Sequence, residues 1–176
     1  ILDIVIENLI GEHIEQAFVA MLIGESWESP SARVQVVATW QGANPIDLQG
    51  MTLTADQFPA WSQLSSTSIC TIDDTSVHPD LTPEERASIE SLGAQSAAIL
   101  PLRVLKRPIG AIWLSSTSVH KHSDRELRTF QAFAEQASIA LEAARLLQQT
   151  ERRARQLLTS AVVSQDASRI LDQIGR

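Results

Sequence analysis

Cysteine is almost absent from this sequence. Cys70 is the single thiol in 176 residues, so neither an internal disulfide nor a cysteine zinc cluster can form. A reducing, cytoplasmic setting is expected. Tyrosine does not occur, and aromatic residues make up only 5% of the chain. No apolar run approaches the ~18 residues that a membrane-spanning helix needs. No signal peptide is visible either, so membrane contact is not expected. Positive charge is scarce: 14 Lys and Arg stand against 21 Asp and Glu, a net charge of −7. Residues 151–176 do not share this deficit, with five Arg against Glu151, Asp166 and Asp172, so the acid excess lies wholly in residues 1–150. An acidic body argues against a nucleic-acid face. Arg152, Arg153 and Arg155 read as a solvated helix face.

Signatures of catalysis are missing too. No Gly-x-Ser-x-Gly, His-Glu-x-x-His or phosphate-binding glycine loop occurs. Asp73 and Asp74 are adjacent, and neighbours on a strand point to opposite faces, so they do not make a carboxylate pair. No catalytic residue and no metal ligand set is expected.

The last absence is the most informative. Neither glycine nor proline occurs between Gly110 and Gly175. From Ser123 to about Gln165 the chain reads as one helix, too long for an ordinary globular element and suited to a coiled coil or spacer. At ~1.5 Å per residue it would span roughly 64 Å, so it is expected to leave the domain and reach a neighbour. Ser123-Asp-Arg-Glu126 is a capping box, with Asp124 and Glu126 at the positive end of the dipole. Leu127, Phe130, Ala134, Ala137, Leu141 and Ala144 recur at spacings of three and four, making one apolar stripe. Phe133, Ala140 and Leu147 widen it. Beyond Thr150 the stripe thins to a two-position seam through Leu147, Ala154, Leu158 and Ala161. Leu157, Val162 and Val163 add to the apolar surface there. A homodimer contact and relay helix through Leu141, Ala144, Leu147, Ala154, Leu158 and Ala161 is the expectation. The domain is placed at residues 1–150 and the linker helix at 151–176. The opening on Ile1 and the ending soon after a helical run suggest a piece of a longer protein.

Before that helix the chain alternates short elements. Ile1–Ile10 has helical spacing, with Gly11 as a cap, although its β-branched residues would also suit a strand. Gln16–Ile23 is apolar on both faces and reads as a central strand. Arg33–Trp40 alternates, with Val34, Val36, Ala38 and Trp40 expected on one face. Gly42–Thr54 reads as connector. A short helix follows, capped by Thr54 or Asp56, with Pro59 in its first turn and Phe58, Trp61 and Leu64 on one face. Ser68–Ile72 is a short strand. Thr82-Pro-Glu-Glu85 is a second capping box, opening a helix from Pro83 to Leu92 that Gly93 closes. Ser96–Val104 and Pro108–Ser115 are strands joined at Lys106-Arg107. Hairpin-linked strands with helices on the faces give an α+β fold, five strands being clear in the sequence.

Four stretches, in order, resemble the GAF domain, a regulatory module of signalling proteins. Cys70-Thr-Ile-Asp-Asp74 resembles its third-strand segment. Leu92-Gly-Ala-Gln-Ser-Ala-Ala-Ile-Leu-Pro-Leu102 resembles its glycine, serine and Pro-Leu block. Pro108-Ile-Gly-Ala-Ile-Trp-Leu114 is similar to its last strand, and Asp124–Arg145 to its closing helix. Thr150–Gln165 resembles the linker that joins such modules to the next domain in sensor histidine kinases and cyclases. The resemblance implies a six-stranded antiparallel sheet, a dimer through the first and last helices, and a small-molecule pocket on one face. It places Phe58, Trp61, Ile69, Asp73, Ala97, Ile99 and Ser115 near that pocket, an apolar cleft with few polar anchors.

The ligand chemistries known in the family find little support. A bilin needs a cysteine in the helix before Gly93, and Pro83–Leu92 has none. Cys70 reads as a small core residue. Cyclic-nucleotide relatives carry an Asn-Lys-Phe set, yet Asn occurs only at 8 and 44 and Lys only at 106 and 121. Methionine sulfoxide reductases on this fold need several thiols. Haem needs an axial histidine, and His13, His78, His120 and His122 all fall off the expected pocket wall. Three readings remain: a sensory module whose ligand shifts the long helix between two arrangements, a ligand-free dimerisation and relay piece, and an enzyme lacking any visible nucleophile pair.

Overall fold

The computed structural model describes the backbone of residues 13–24, 26–41, 48–58, 61–65 and 68–174, with side chains except at 41, 65 and 157–174. The helix expected over Ile1–Ile10, its Gly11 cap and the turn at Pro59 lie outside the described residues, as do the side chains of Leu157, Leu158, Ala161, Val162 and Val163. Six strands form one antiparallel sheet: β1 (Gln16–Ile23), β2 (Arg33–Gln41), β3 (Thr52–Leu53), β4 (Cys70–Ile72), β5 (Ser96–Val104) and β6 (Arg107–Ser116). Their spatial order is β3-β2-β1-β6-β5-β4. Helix α1 is Pro83–Ser91 and helix α2 is Asp124–Ile174, with a 3-10 turn at Trp61–Ser65. The fold is α+β with helices on both faces of the sheet. Two compact units divide at Ser138/Ile139.

β1 and β6 lie at the centre, and their sequences show why. Ala17 to Ala20 and Ile109 to Ser116 are buried without a break, as strands covered on both faces must be. One face carries Phe18, Ala20, Val34, Val36, Ala97, Ile99, Ala111 and Trp113, packed with Trp27, Phe58, Leu64, Ile72, Leu81 and Ile89 from the connectors and α1. The alternate residues Ala17, Val19, Ala98, Leu100, Leu102, Ile112 and Leu114 are buried on the opposite face. There α2 contributes its buried Phe130, Ala134 and Ala137. Ser138 joins the two: its hydroxyl accepts the Arg103 N–H at 3.0 Å and donates to the Ala134 carbonyl at 2.7 Å.

Both capping boxes form. The Glu85 N–H bonds the Thr82 hydroxyl at 3.1 Å, and the Thr82 N–H returns to the Glu85 carboxylate at 3.1 Å. At α2 the Ser123 N–H reaches Glu126 at 2.7 Å. Gly93 closes α1 with φ +74; its N–H bonds the Glu90 carbonyl, and the Ala94 N–H bonds that of Ile89. This is a Schellman cap.

Several expectations are corrected. Val34, Val36, Ala38 and Trp40 do not share a face. Val36 pairs with Ala20 but Ala38 pairs with Val19, so Val37 is the extra residue of a β-bulge, and Ala38 and Trp40 turn to the α2 side. Thr52–Leu53, inside the expected connector, is the sixth strand and pairs with Val34 and Gln35. The helix expected after Thr54 is a 3-10 turn beginning at Trp61. The β5–β6 turn is Leu105-Lys106, not Lys106-Arg107, with φ +49 and +70. The two positive φ values match a hairpin turn that normally takes Asn or Gly. Helix α2 continues nine residues beyond Gln165, to Ile174. Of its expected stripe, Ala140, Ala144, Leu147 and Ala154 are exposed and Leu141 is half-buried. Ile139 and Leu146, outside that stripe, are exposed as well.

Candidate functional site

The residues expected around one pocket divide between two places. Phe58, Ile99 and Trp113 are each 1% exposed and belong to the connector-side core. Phe18 stacks on Trp113, and Phe58 meets Phe18 and Trp61 edge to face at 5.9 Å. Trp61 is half-buried, donates its indole N–H to the Trp27 carbonyl at 3.3 Å, and packs on the Trp27 ring. Ile69 is half-buried just before β4. Ala97 belongs to the same core, but with Ser115 it also lines a cavity of about 250 Å³ beside the first turns of α2. Asp73 stands one bond away from that cavity, through His122.

The cavity is built where β5, β6 and the segment before α2 come together. Its apolar part includes Leu114 and Phe130, and its polar part Ser115, Ser116, His120, His122, Arg125 and Thr129. His13 also lines it and stacks on His120 at 4.7 Å. Three histidines thus meet at one wall of this cavity, away from the expected connector-side pocket. His120 and His122 do carry a sequence signal: a spacing of two just ahead of a helix cap turns both to one side of an extended segment. Nothing local says that β4 ends beside them.

Electrostatics fix the two rings. Burial would raise the Glu126 carboxyl, but bonds from the Ser123 hydroxyl and N–H and from His120 outweigh it and hold it at about 2. Burial likewise opposes, and the bonds from His122 overcome, so that Asp73 is also lowered. Both carboxylates are therefore acceptors at neutral pH. His120 must donate its Nε2–H to Glu126 at 2.9 Å, and His122 its Nδ1–H to Asp73 at 3.1 Å. The His120 N–H also bonds the Asp73 carbonyl at 3.1 Å, and the His122 N–H its carboxylate at 3.3 Å. These bonds couple the end of β4 to the first turn of α2.

A pH dependence follows with a definite sign. The folded-state value of Glu126 lies below its ordinary 4.5, so its carboxylate favours folding above that pH. The contribution is lost as pH falls toward 2. Because the group is about one-third exposed, solvent screening leaves about 1 kcal/mol. In urea titrations, Glu126→Gln should be less stable than the parent by that amount at neutral pH, and the gap should close in acid. A gap independent of pH would show that the charge is not what acts.

Cys70 is half-buried against the connector-side core. Burial first, then Asp80 and Glu85, push its thiol up to about 11. It is a poor nucleophile at neutral pH. Among the described residues no group of His, Cys, Asp or Glu is arranged to hold a metal ion, and no helix is long and apolar enough to cross a membrane.

Comparison with known proteins places this architecture. Against curated protein sequences no match was found. Among solved structures, a domain assigned to a two-component sensor histidine kinase of Sinorhizobium meliloti 1021 superposes with a TM-score of 0.64 at 13% identity, covering 85% of this chain and 94% of that one. The GAF domain of a two-component sensor histidine kinase from Bacillus halodurans gives 0.62 at 16% identity, covering 84% and 97%. The chromophore-binding domain of the bacteriophytochrome RpBphP3 from R. palustris gives 0.61 at 12% identity. It covers 77% of this chain, which spans only 51% of that one. At these identities the likeness is one of fold. A family model described as GAF domain matches residues 1–142, more than half of the sequence, and the chain accordingly belongs to the GAF domain family.

Proposed function

We propose that this chain is a non-catalytic sensory or regulatory domain of a multidomain signalling protein. It relays small-molecule binding or a dimer rearrangement through α2 to an output domain, for which a histidine kinase or a cyclase is the expected type. The observation that carries this reading is the set of bonds from Asp73 through His120, His122 and Glu126 to the first turn of α2. A change at the edge strand β4 or in the cavity would alter the hydrogen bonding of that turn. A ligand with different affinities for two arrangements of the turn would bias their equilibrium. The family membership and the sensor-kinase neighbours agree with the role.

A second reading is a ligand-free dimerisation and relay piece. Its support is the close ring packing of Phe18, Phe58, Trp61 and Trp113, where the family resemblance had placed a pocket. Both readings share a homodimer. Its seam would use Leu141, Ala144, Leu147, Ala154, Leu158 and Ala161, to which the exposed Ile139 and Leu146 are added. Residues 151–176 serve as linker in either case.

Analytical ultracentrifugation tests the shared part. Truncation after Arg145 removes Leu146, Leu147, Ala154, Leu158 and Ala161 and leaves only Ile139, Leu141 and Ala144 of the seam. The dimer dissociation constant should rise at least about tenfold, the loss of some 1.4 kcal/mol. An unchanged constant would sink the dimer seam, and with it the relay through α2.

A further inference from the structure

We infer that the cavity at the foot of α2 is a binding site for a small organic monocarboxylate. The volume of about 250 Å³ is that of about eight water molecules, room for a short acid and nothing as large as a tetrapyrrole. Its lining is amphipathic: Leu114 and Phe130 on one side, hydroxyls and basic groups on the other. An apolar tail with one polar head fits such a surface.

The head group follows from which lining atoms are free. Glu126 keeps its negative charge, but its oxygens are not free to pair with Arg125. Its oxygens already accept from the Ser123 N–H, the Ser123 hydroxyl and His120. Arg125 lines the cavity and has no hydrogen-bond or ion-pair partner among the described residues. An arginine in the first turn of a helix is disfavoured by the dipole, so helix stability does not account for it. Its planar fork matches a carboxylate bidentately.

A second, independent observation is His122. Its side chain is 7% exposed, and Asp73 holds Nδ1. Nε2 has no partner among the described residues, although the residue lines the cavity. Nε2 is not sealed within the protein, so it is open to a partner that enters the cavity. A carboxylic head supplies one: a single proton held between one of its oxygens and Nε2 makes the bond, and the other oxygen can still face Arg125. Thr129 and Ser116 also line the polar side. The site lies at the bonds that the regulatory reading invokes, and would give that reading its ligand. Binding itself does not require dimerisation.

Hexanoate is the probe, titrated into the isotope-labelled full chain and followed by amide NMR. Shifts are expected at Ser115, Ser116, His122 and Thr129. Hexanamide, the neutral isostere, and inorganic phosphate should each bind at least about tenfold more weakly. Arg125→Gln should weaken hexanoate by a similar factor. Arg128→Gln removes the same charge three residues along the helix, at a position that does not line the cavity, and should leave affinity unchanged. No shift at these amides by about 10 mM hexanoate, a weakness beyond useful recognition, overturns the proposal. So does equal binding of hexanamide or phosphate, or an undiminished affinity in Arg125→Gln. Failure here with an intact ultracentrifugation result would remove the ligand and leave the dimer relay standing.

Discussion

Replacing Gly110 by alanine is expected to destabilise the protein by about 3 kcal/mol or more, a large share of the roughly 5–15 kcal/mol that keeps an ordinary domain folded. Gly110 pairs with Met21 where β6 crosses β1. A Cβ there would collide with the carbonyl oxygen and carbon of Ala20 and the Cα of Met21, all of them backbone. A side chain could swing aside. A strand held about 4.8 Å from its neighbour by ladder hydrogen bonds cannot. Gly93→Ala is the control. That glycine has φ +74 with open space around its missing Cβ, so alanine meets only backbone strain, about 1–2 kcal/mol. Thermal melts of both variants check the ranking. If Gly110→Ala melts with the parent, the close approach of β1 and β6 at this point is wrong.

The second large effect is at Trp113. Truncation to alanine should lower stability by about 3–5 kcal/mol, because the ring is fully buried and stacked on Phe18. Phenylalanine should behave very differently. The indole Nε1 is buried without a hydrogen-bond partner among the described residues, and such a donor is itself destabilising by about 1–3 kcal/mol. Trp113→Phe loses packing volume but also removes that donor. The two changes oppose each other, and the net loss should be about 1 kcal/mol or less. Urea midpoints of the two variants separate the terms. A phenylalanine variant as damaged as the alanine one would mean the N–H is satisfied and the loss is purely packing.

Elements whose signals are local were legible from the residues alone. Thr82 with Glu85, and Ser123 with Glu126, announce their helices because both partners of each bond lie three residues apart. The limits of β1 and β5 follow from runs apolar on both faces, bounded by polar residues. The absence of Gly and Pro after Gly110 marks α2, although the helix runs nine residues past the expected end at Gln165, to Ile174.

Features that depend on two distant segments were not legible. The bulge at Val37 reverses the sides of Ala38 and Trp40, and alternation cannot reveal it because both residues pair with β1 only after the slip. The two-residue β3 is too short to show a period and exists because Val34 and Gln35 offer it an open edge. The resemblance brings the expected pocket residues to one site, whereas the structure packs Phe58 and Ile99 in the connector-side core and opens its cavity further along β5 and β6, where Ala97 and Ser115 lie beside the first turns of α2.

By itself the sequence determined the fold class, the family, both helix starts and the presence of one acidic, thiol-poor module with a long helix. These rest on composition and on contacts within a few residues. Only the tertiary structure decided that Asp73 meets His122 across 49 residues, that His13 stacks on His120, and that a cavity opens among them beside Arg125. Such meetings are made by strand order and register, and these are set by the packing of the whole sheet rather than by any stretch of it.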